Sequence, residues 1–203
     1  MRLTPSRQAE AGPALHQTSR GYFLDLQVIP SDRLSQEMLD RILELCGRAY
    51  GEDLRECFRT FADPVHVLAV ADGIIVSHAL WITRWLAPAG AAPLRTAYVE
   101  AVATDPAWQR QGFASAVLRR LVREVARFEL ARFELAALCP SEDGRPLYTR
   151  LGWETWTGPL SIRRGSSLID TSDESIMIHR LPMTPPLRLS DSMSAEWRPG
   201  EMW

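Results

Sequence analysis

The stretch Gln109-Arg110-Gln111-Gly112-Phe113-Ala114 separates two segments with different apolar periodicity. Residues 97–104 before it have the pattern of a β-strand, and residues 115–127 after it repeat apolar side chains at helical spacing. This order builds an anion site from main chain, because the first turn of a helix has unpaired N–H groups and partial positive charge. We predict a diphosphate site here, where Gly112 leaves the backbone accessible and Arg110 adds a charged donor.

The loop differs from the two widespread phosphate-binding motifs. The chain contains neither Gly-x-x-x-x-Gly-Lys-Ser/Thr nor Gly-x-Gly-x-x-Gly after a strand. An ordinary strand-to-helix turn also carries a Gly near the helix start, so the loop alone leaves both interpretations open. The preceding strand and Tyr148, which follows one strand and one turn later, favour the binding site.

The composition indicates one globular domain. The chain has 203 residues, of which 46% are hydrophobic and 24% charged. We expect a flexible tail over residues 1–20 and one domain over residues 21–203. The net charge of −2 gives no sign of a nucleic-acid partner. No signal peptide and no run of about eighteen apolar residues occurs, so we expect a cytoplasmic protein without a membrane partner.

The cysteines and histidines do not form a metal-binding pattern. Three cysteines and four histidines are spread along the chain without ligand spacing, so no metal is expected. We expect Cys46 and Cys139 to be buried, although the strand end at Cys139 is also a place where a thioester cofactor could lie. His66 and His78 lie in strand-like runs, and we expect packed or hydrogen-bonded rings there.

Strands and helices alternate through the middle of the sequence, flanked by hairpins, which predicts a mixed α/β fold. Ser31-Asp32 is the predicted cap of a first helix that ends at Tyr50-Gly51. Ala71-Asp72-Gly73 between two apolar runs predicts a hairpin. The other predicted strands cover 22–29, 97–104, 133–139, 153–156 and 176–179, and a helix over 115–127 and a short one around 147–151 complete the set.

The pattern Gln/Arg-x-x-Gly-x-Gly/Ala resembles the acetyl-CoA pyrophosphate loop of the GNAT N-acetyltransferases. The run Pro146-Leu147-Tyr148-Thr149-Arg150-Leu151-Gly152-Trp153 resembles a second segment of that family. The resemblance implies the GNAT fold, with one central, mostly antiparallel sheet flanked by helices, and acetyl-CoA as cofactor. It implies cofactor contacts at Val102, Thr104, Gln109, Arg110, Gln111, Gly112, Phe113, Ala114 and Ser115.

Two residues are candidates for proton transfer. The resemblance implies that Tyr148 is the general acid for the departing coenzyme A thiolate, and that Glu100 is the general base for the amine, often through water. Glu100 lies among apolar neighbours, and because a buried unpaired carboxylate is costly, it must face a cleft, a partner or water. The alternatives are a half-buried helical tyrosine and a structural ion pair between Glu100 and an arginine. The family also uses a backbone N–H of this strand to polarise the thioester carbonyl.

A narrower resemblance covers roughly residues 22–203. The sequence is similar to the aminoglycoside 2'-N-acetyltransferases in Tyr98-Val99-Glu100, Trp156-x-Gly158-Pro159 and the terminal Ser194-Ala195-Glu196-x-Arg198-x-Gly200-Glu201-x-Trp203. It implies an antibiotic acceptor and a substrate-binding tail over 183–203. The implied acceptor ligands are acidic: Glu52, Asp53, Glu100, Asp173, Glu201 and the carboxylate of Trp203.

The acceptor stays open at this point. Cys57 stands where relatives tend to carry an acid, so a smaller amino-sugar antibiotic of the kasugamycin type is an alternative. Two further alternatives are a GNAT enzyme acting on another polyamine or amino sugar, and a non-catalytic acyl-CoA-binding module. Seven tryptophans, some near the C-terminus, are compatible with a homodimer.

Overall fold

Strands and helices alternate along the chain, which the computed structural model describes over residues 16–17, 23–127, 132–200 and 203. The first half contains β1 (His16–Gln17), β2 (Phe23–Pro30), α1 (Gln36–Tyr50), α2 (Arg55–Arg59), β3 (Val65–Ala71), β4 (Ile74–Pro88) and β5 (Leu94–Thr104). The second half contains α3 (Phe113–Arg127), β6 (Leu135–Leu138), α4 (Arg145–Arg150), β7 (Glu154–Thr155), β8 (Leu160–Arg164), β9 (Ser167–Asp170), β10 (Met177–Arg180) and β11 (Met193–Glu196).

All of these strands belong to one mixed sheet. Its main path runs β1-β2-β3-β4-β5-β6-β10-β7, and β11 joins β4 to β8, which also pairs with β9. The β5–β6 and β8–β11 pairs are parallel, and the other described pairs are antiparallel. The prediction of a mixed α/β fold with one mostly antiparallel sheet is confirmed.

The two faces of the sheet carry different cores. In β3, Val67 and Ala69 pack towards α3, whereas Leu68 between them packs towards α1. We call these sides the α3 face and the α1 face. Because neighbouring strand residues point to opposite faces, Val99 of β5 lies on the α3 face and Tyr98 on the α1 face, where C-terminal residues also pack.

The helix ends follow local hydrogen bonding. The side chain of Ser35 accepts from the Met38 N–H and caps α1, and Gly51 ends that helix at φ 79°. The prediction that Ser31-Asp32 caps it is wrong, because these residues form a separate 3-10 turn whose first N–H donates to Pro64. The predicted β3–β4 hairpin is confirmed, with Asp72 at φ 49° and Gly73 at φ 80°.

The sequence prediction missed three strands in the last third of the chain. The region between β7 and β10, predicted as a loop, contains the β8–β9 hairpin. The predicted tail over 183–203 contains β11, which inserts between β4 and β8. In the predicted N-terminal tail, His16–Gln17 pairs with β2, and the other residues of 1–20 lie outside the described ranges.

Candidate active site

The gap between β5 and β6 is the main opening in the described sheet. The two strands pair only from Thr96 to Tyr98, opposite Leu135 to Ala137. The remainder of β5, up to Thr104, continues without β6 beside it. No strand of the described sheet pairs with it on that side, so an extended ligand could bind there as an added strand. Val102 and Thr104, both predicted cofactor contacts, lie on this open length.

A β-bulge lies in the same length of β5. Leu80 of β4 faces Glu100 and His78 faces Ala103, so Ala101 and Val102 together oppose a single residue. Ala101 adopts φ 49°, a left-handed conformation that is uncommon for alanine. Side chains hold both bulge carbonyls: the hydroxyl of Tyr50 donates to Val102 at 3.0 Å, and the Nδ1 of His78 lies 2.9 Å from the Ala101 oxygen.

The predicted phosphate loop leads into α3 at the end of β5. Arg110 and Gly112 both have positive φ, 57° and 91°, and a Cβ on Gly112 would meet open space, so its conformation is what requires glycine. The first N–H to close a helical turn is that of Ala116, on the Gly112 carbonyl. The N–H groups of residues 113–115 precede it and are the unpaired helix-start donors.

Side chains stabilise the loop around these amides. Phe113 is buried and packs edge-on against Trp108, with 5.7 Å between ring centroids. The amides of Gln109 and Gln111 donate to the carbonyls of Thr104 and Ala107 at 3.4 Å. Arg110, Ala114 and Ser115, the remaining predicted loop contacts, lie in the same loop and first helical turn. The loop thus has the geometry of an anion site.

Tyr148 lies on α4, which follows β6 along the chain, and is only 7% exposed. Burial and, next, the neighbouring Cys139 raise the pKa of Tyr148 to about 12, so the hydroxyl keeps its proton at neutral pH. Cys139 is exposed at the end of β6, and the expectation that it is buried is wrong. Gly144 allows this position of the Tyr148 ring, because a Cβ there would lie 3.0 Å from it.

Tyr50 connects the two proton-transfer candidates. Burial and, next, Tyr148 raise its pKa, and Glu100 is among the further causes. Tyr148 and Glu100 are therefore both within electrostatic reach of the Tyr50 hydroxyl. The Tyr50 hydroxyl itself binds the carbonyl of Val102 in the bulge of β5.

Glu100 is half-buried and forms an ion pair. Its carboxylate lies 2.5 Å from the guanidinium of Arg198, and the two side chains are 13% and 11% exposed. Arg198 and the buried Arg84 flank the ring of Tyr98 at 5.7 and 4.8 Å. Glu196 of β11 also accepts from Arg84, at 3.5 Å on its carboxylate and 2.8 Å on its carbonyl. The ion pair is the alternative role predicted for Glu100, and the acceptor-facing role stays a prediction.

The predicted acceptor ligands occupy several places on the surface. Glu52 and Asp53 are exposed in the turn after α1, beside a shallow hollow of about 350 Å³. Asp53 binds Arg55, and the Arg55 backbone N–H is the first cause that lowers the Asp53 pKa. Asp173 is exposed in the turn before β10. Glu201 lies outside the described residues.

The C-terminal residue is anchored in the core. The ring of Trp203 is 4% exposed and its indole N–H donates to the buried hydroxyl of Thr171 at 2.7 Å. Its ring lies 6.0 Å from the Arg84 guanidinium, in the cluster that contains Tyr98. The side chain of Trp203 is therefore structural, whereas the predicted role concerned its carboxylate.

Other features of the described residues do not add to this site. No group of His, Cys, Asp and Glu within them could hold a metal ion. A search of the same residues finds no helix long and apolar enough to cross a membrane. A hollow of about 510 Å³ lies against α3, between β2 and Trp153, and no predicted site residue lines it.

Sequence reasoning missed four residues of the site. Tyr50 was predicted only as the end of α1, and His78 only as a packed strand residue. Gly144 and Arg198 received no role, although Arg198 is part of the terminal signature. Sequence reasoning would have reached His78 only with the correct β4–β5 register, including its bulge. No sequence pattern pairs Glu100 with Arg198, which lies 98 positions away.

Known proteins resemble this chain in sequence and fold. The model of the Acetyltransferase (GNAT) family matches residues 34–153. An aminoglycoside 2'-N-acetyltransferase of Mycolicibacterium fortuitum is 32% identical over 143 residues, which are 68% of this chain and 71% of that protein. A GNAT family N-acetyltransferase of Escherichia coli, solved in complex with CoA, is 17% identical, with a TM-score of 0.55 and 93% of each chain covered.

A second solved structure, Eis1 of Mycobacterium abscessus, is 21% identical with a TM-score of 0.56. The match covers 68% of this chain and 33% of Eis1, so this chain spans about a third of that protein. Both structural matches show the same fold.

Proposed function

The chain belongs to the GNAT acetyltransferase family, and on that premise we propose that it acetylates an amine of an aminoglycoside-type antibiotic, at the 2' position, and so inactivates the drug. The observation that supports acetyl transfer is the length of β5 without β6 beside it, which leads directly into the loop and the helix start of α3. The antibiotic acceptor is supported by the similarity to the M. fortuitum enzyme.

Acetyl-CoA is the cofactor of the family, and the residues present fit it. The amides of residues 113–115 and the nearby Arg110 suit a diphosphate. The unpaired side of β5 at Val102 and Thr104 suits an amide-containing arm. When bound, acetyl-CoA supplies the activated acetyl group. The chain's own residues hold it, orient it and move the protons.

We assign the acid to Tyr148. Its pKa of about 12 means that it is protonated at the pH of the cell and can donate to a thiolate leaving group. We assign the base to Glu100, which faces the α1 face of β5 opposite Leu80. Because Arg198 already holds one side of that carboxylate, an incoming ammonium must share it or displace the guanidinium.

We assign acceptor recognition to the acidic groups that the family resemblance implies. Glu52, Asp53, Asp173, Glu201 and the terminal carboxylate of Trp203 would attract a polycationic sugar. The Arg55–Asp53 bond is exposed, so its loss to a bound ammonium would cost little. A kasugamycin-type amino sugar and a linear polyamine are the alternative acceptors, because Cys57 replaces an acid that relatives tend to carry.

A rate measurement with Tyr148→Phe tests the proposed function. Free thiol release from acetyl-CoA is followed with a deoxystreptamine aminoglycoside, kasugamycin or spermidine as acceptor. We expect turnover with an aminoglycoside-type acceptor, and a loss of about 10² to 10⁴-fold in kcat in the variant. Calorimetry should find its coenzyme A affinity unchanged.

Tyr98→Phe is the matched control. It also removes a phenol hydroxyl, but one that has no hydrogen-bond partner within the described ranges. It should keep wild-type turnover. Turnover on spermidine alone would mean that the acceptor is a polyamine and not an antibiotic. If no amine causes thiol release, the chain is a non-catalytic acyl-CoA-binding module.

A further inference from the structure

Two buried histidines lie directly behind the bulge of β5. His66 on β3 is 1% exposed and His78 on β4 is 0% exposed. The Nδ1 of His66 is 3.0 Å from the Nε2 of His78, and the Nδ1 of His78 is 2.9 Å from the carbonyl oxygen of Ala101. A carbonyl oxygen can only accept a hydrogen bond, so the Nδ1 of His78 carries the proton and donates to Ala101. The unprotonated Nε2 of His78 then accepts a hydrogen bond from the Nδ1–H of His66.

The carbonyl that His78 holds belongs to the same planar unit as the next N–H. The Ala101 C=O and the Val102 N–H lie in one peptide plane and point in opposite directions. Fixing the oxygen therefore fixes the direction of the Val102 N–H. The next carbonyl, of Val102, is held in turn by the Tyr50 hydroxyl at 3.0 Å.

The bulge needs such support. Ala101 is held at φ 49°, a strained conformation for a non-glycine residue that persists only where the surroundings impose it. The β4–β5 ladder is interrupted at this point, so strand pairing does not supply the constraint. The side chains of His78 and Tyr50 supply it.

We propose that His78, oriented by His66, is a positioning residue for acetyl transfer: it fixes the Ala101–Val102 peptide so that the Val102 N–H polarises the thioester carbonyl. This rests on the proposed function and adds two residues outside the phosphate loop and the acid–base pair. A donor that is held in place does not need to reorient during the reaction, which is the source of its effect on rate. Burial lowers the pKa of both histidines, and this keeps the pair neutral and in one tautomeric arrangement.

Infrared spectroscopy of bound acetyl-CoA, labelled with ¹³C at the thioester carbonyl, tests the polarisation without an acceptor. The carbonyl stretch should move to lower wavenumber on binding to the wild type. His78→Phe keeps a ring of similar size but has no donor, so the shift should be lost. His78→Asn places an amide N–H near the former Nδ1 and should restore most of it.

Kinetics give the second readout. With an active acceptor, His78→Phe should lower kcat by roughly 10-fold or more, below the 10²–10³-fold that loss of a whole oxyanion donor costs, with KM for acetyl-CoA little changed. His78→Asn should recover most of kcat. Thr96→Val is the matched control, because it removes another buried side-chain hydrogen bond of β5, to Leu94 at 3.1 Å, far from the bulge. It should keep the wild-type values.

The outcomes separate the two proposals. Acetyl-CoA that does not bind would overturn both. Suppose that the wild type binds acetyl-CoA and turns over while His78→Phe has the same kcat and carbonyl shift as the wild type. That result would overturn only the positioning role of His78. Equal losses in the Phe and Asn variants would mean that the ring is needed for packing alone. If His78→Phe does not fold, His66→Leu removes the donor to His78 instead, and an unchanged carbonyl shift and kcat would count against the relay.

Discussion

The buried pair of His66 and His78 should make this protein less stable in mild acid. Burial lowers the pKa of His66 to about 4, and burial followed by the charge of His66 lowers that of His78 to about 3. The groups that face the pair offer no counter-charge: Cys46 of α1 lies 3.8 Å from the His78 Nδ1, and the ring of Phe58 from α2 lies 6.1 Å from that of His78. The pKa of the Cys46 thiol is itself raised to about 12 by burial, so it stays uncharged.

The size of the effect follows from the pKa values. An unfolded histidine titrates near 6.5. Between that pH and the folded values of about 4 and 3, the unfolded chain binds protons that the folded chain does not. Stability is therefore full above about pH 6.5 and falls as the pH drops through this window. At pH 5 each ring costs about 2 kcal/mol, or about 4 kcal/mol for both, which is a large part of a typical domain stability of about 5–15 kcal/mol.

Urea unfolding at pH 7.5 and pH 5 measures this difference. The double variant His66→Asn with His78→Asn has no imidazole to titrate there, while its carboxylates are those of the wild type. The wild type should lose about 4 kcal/mol more than the double variant between the two pH values. Thr96→Val, which removes a buried hydrogen bond to Leu94 but no titratable group, is the control and should keep the wild-type pH dependence. If wild type and double variant lose the same free energy, the rings are not held neutral and the positioning argument loses its support.

Three further predictions concern the site. Glu100→Gln should lower the rate by about 10² to 10⁴-fold, most where the acceptor amine is largely protonated, and an unchanged pH–rate profile would exclude Glu100 from the proton path. Gly144→Ala should lower kcat by up to about 10²-fold with coenzyme A affinity preserved, because the added Cβ would lie 3.0 Å from the Tyr148 ring and move it; wild-type kcat would show that the ring position is not critical. Glu201→Gln, which leaves the buried Trp203 in place, should weaken acceptor binding more than coenzyme A binding in calorimetry, and unchanged acceptor affinity would exclude Glu201 from acceptor recognition.

The sequence predicts those parts of the fold whose signal is local. Helix α3 and the β3–β4 hairpin follow from the apolar periodicity and from Asp72-Gly73, and the structure contains both. The β8–β9 hairpin gives little signal, because all four residues of β9 are exposed and no alternation marks them. Strand β11 is equally short, and it exists because β4 and β8 leave a place between them, which is a property of the whole sheet.

The same distinction applies to the site. The phosphate loop and Tyr148 lie within contiguous motifs, so sequence reasoning reaches them. His78 acts on Ala101 across a register shift between two strands, and Glu100 meets Arg198 only after the C-terminal segment has returned to β5. Contacts of this kind depend on long-range pairing, which a pattern within one segment does not encode.

The two faces of β5 differ in how much of them comes from the length that the family model matches. The elements assigned to acetyl-CoA, α3 and Tyr148, pack on the α3 face and lie within residues 34–153, the length that the family model matches. Glu100 points to the α1 face, where it pairs with Arg198 and where the cluster around Tyr98 includes Trp203, and both Arg198 and Trp203 come from beyond that length. Because β6 leaves β5 after Tyr98, the two faces communicate beside the bulge. A cofactor from one face and an amine from the other can therefore meet at the peptide that His78 holds, and part of the acceptor side comes from beyond the length that the family model matches.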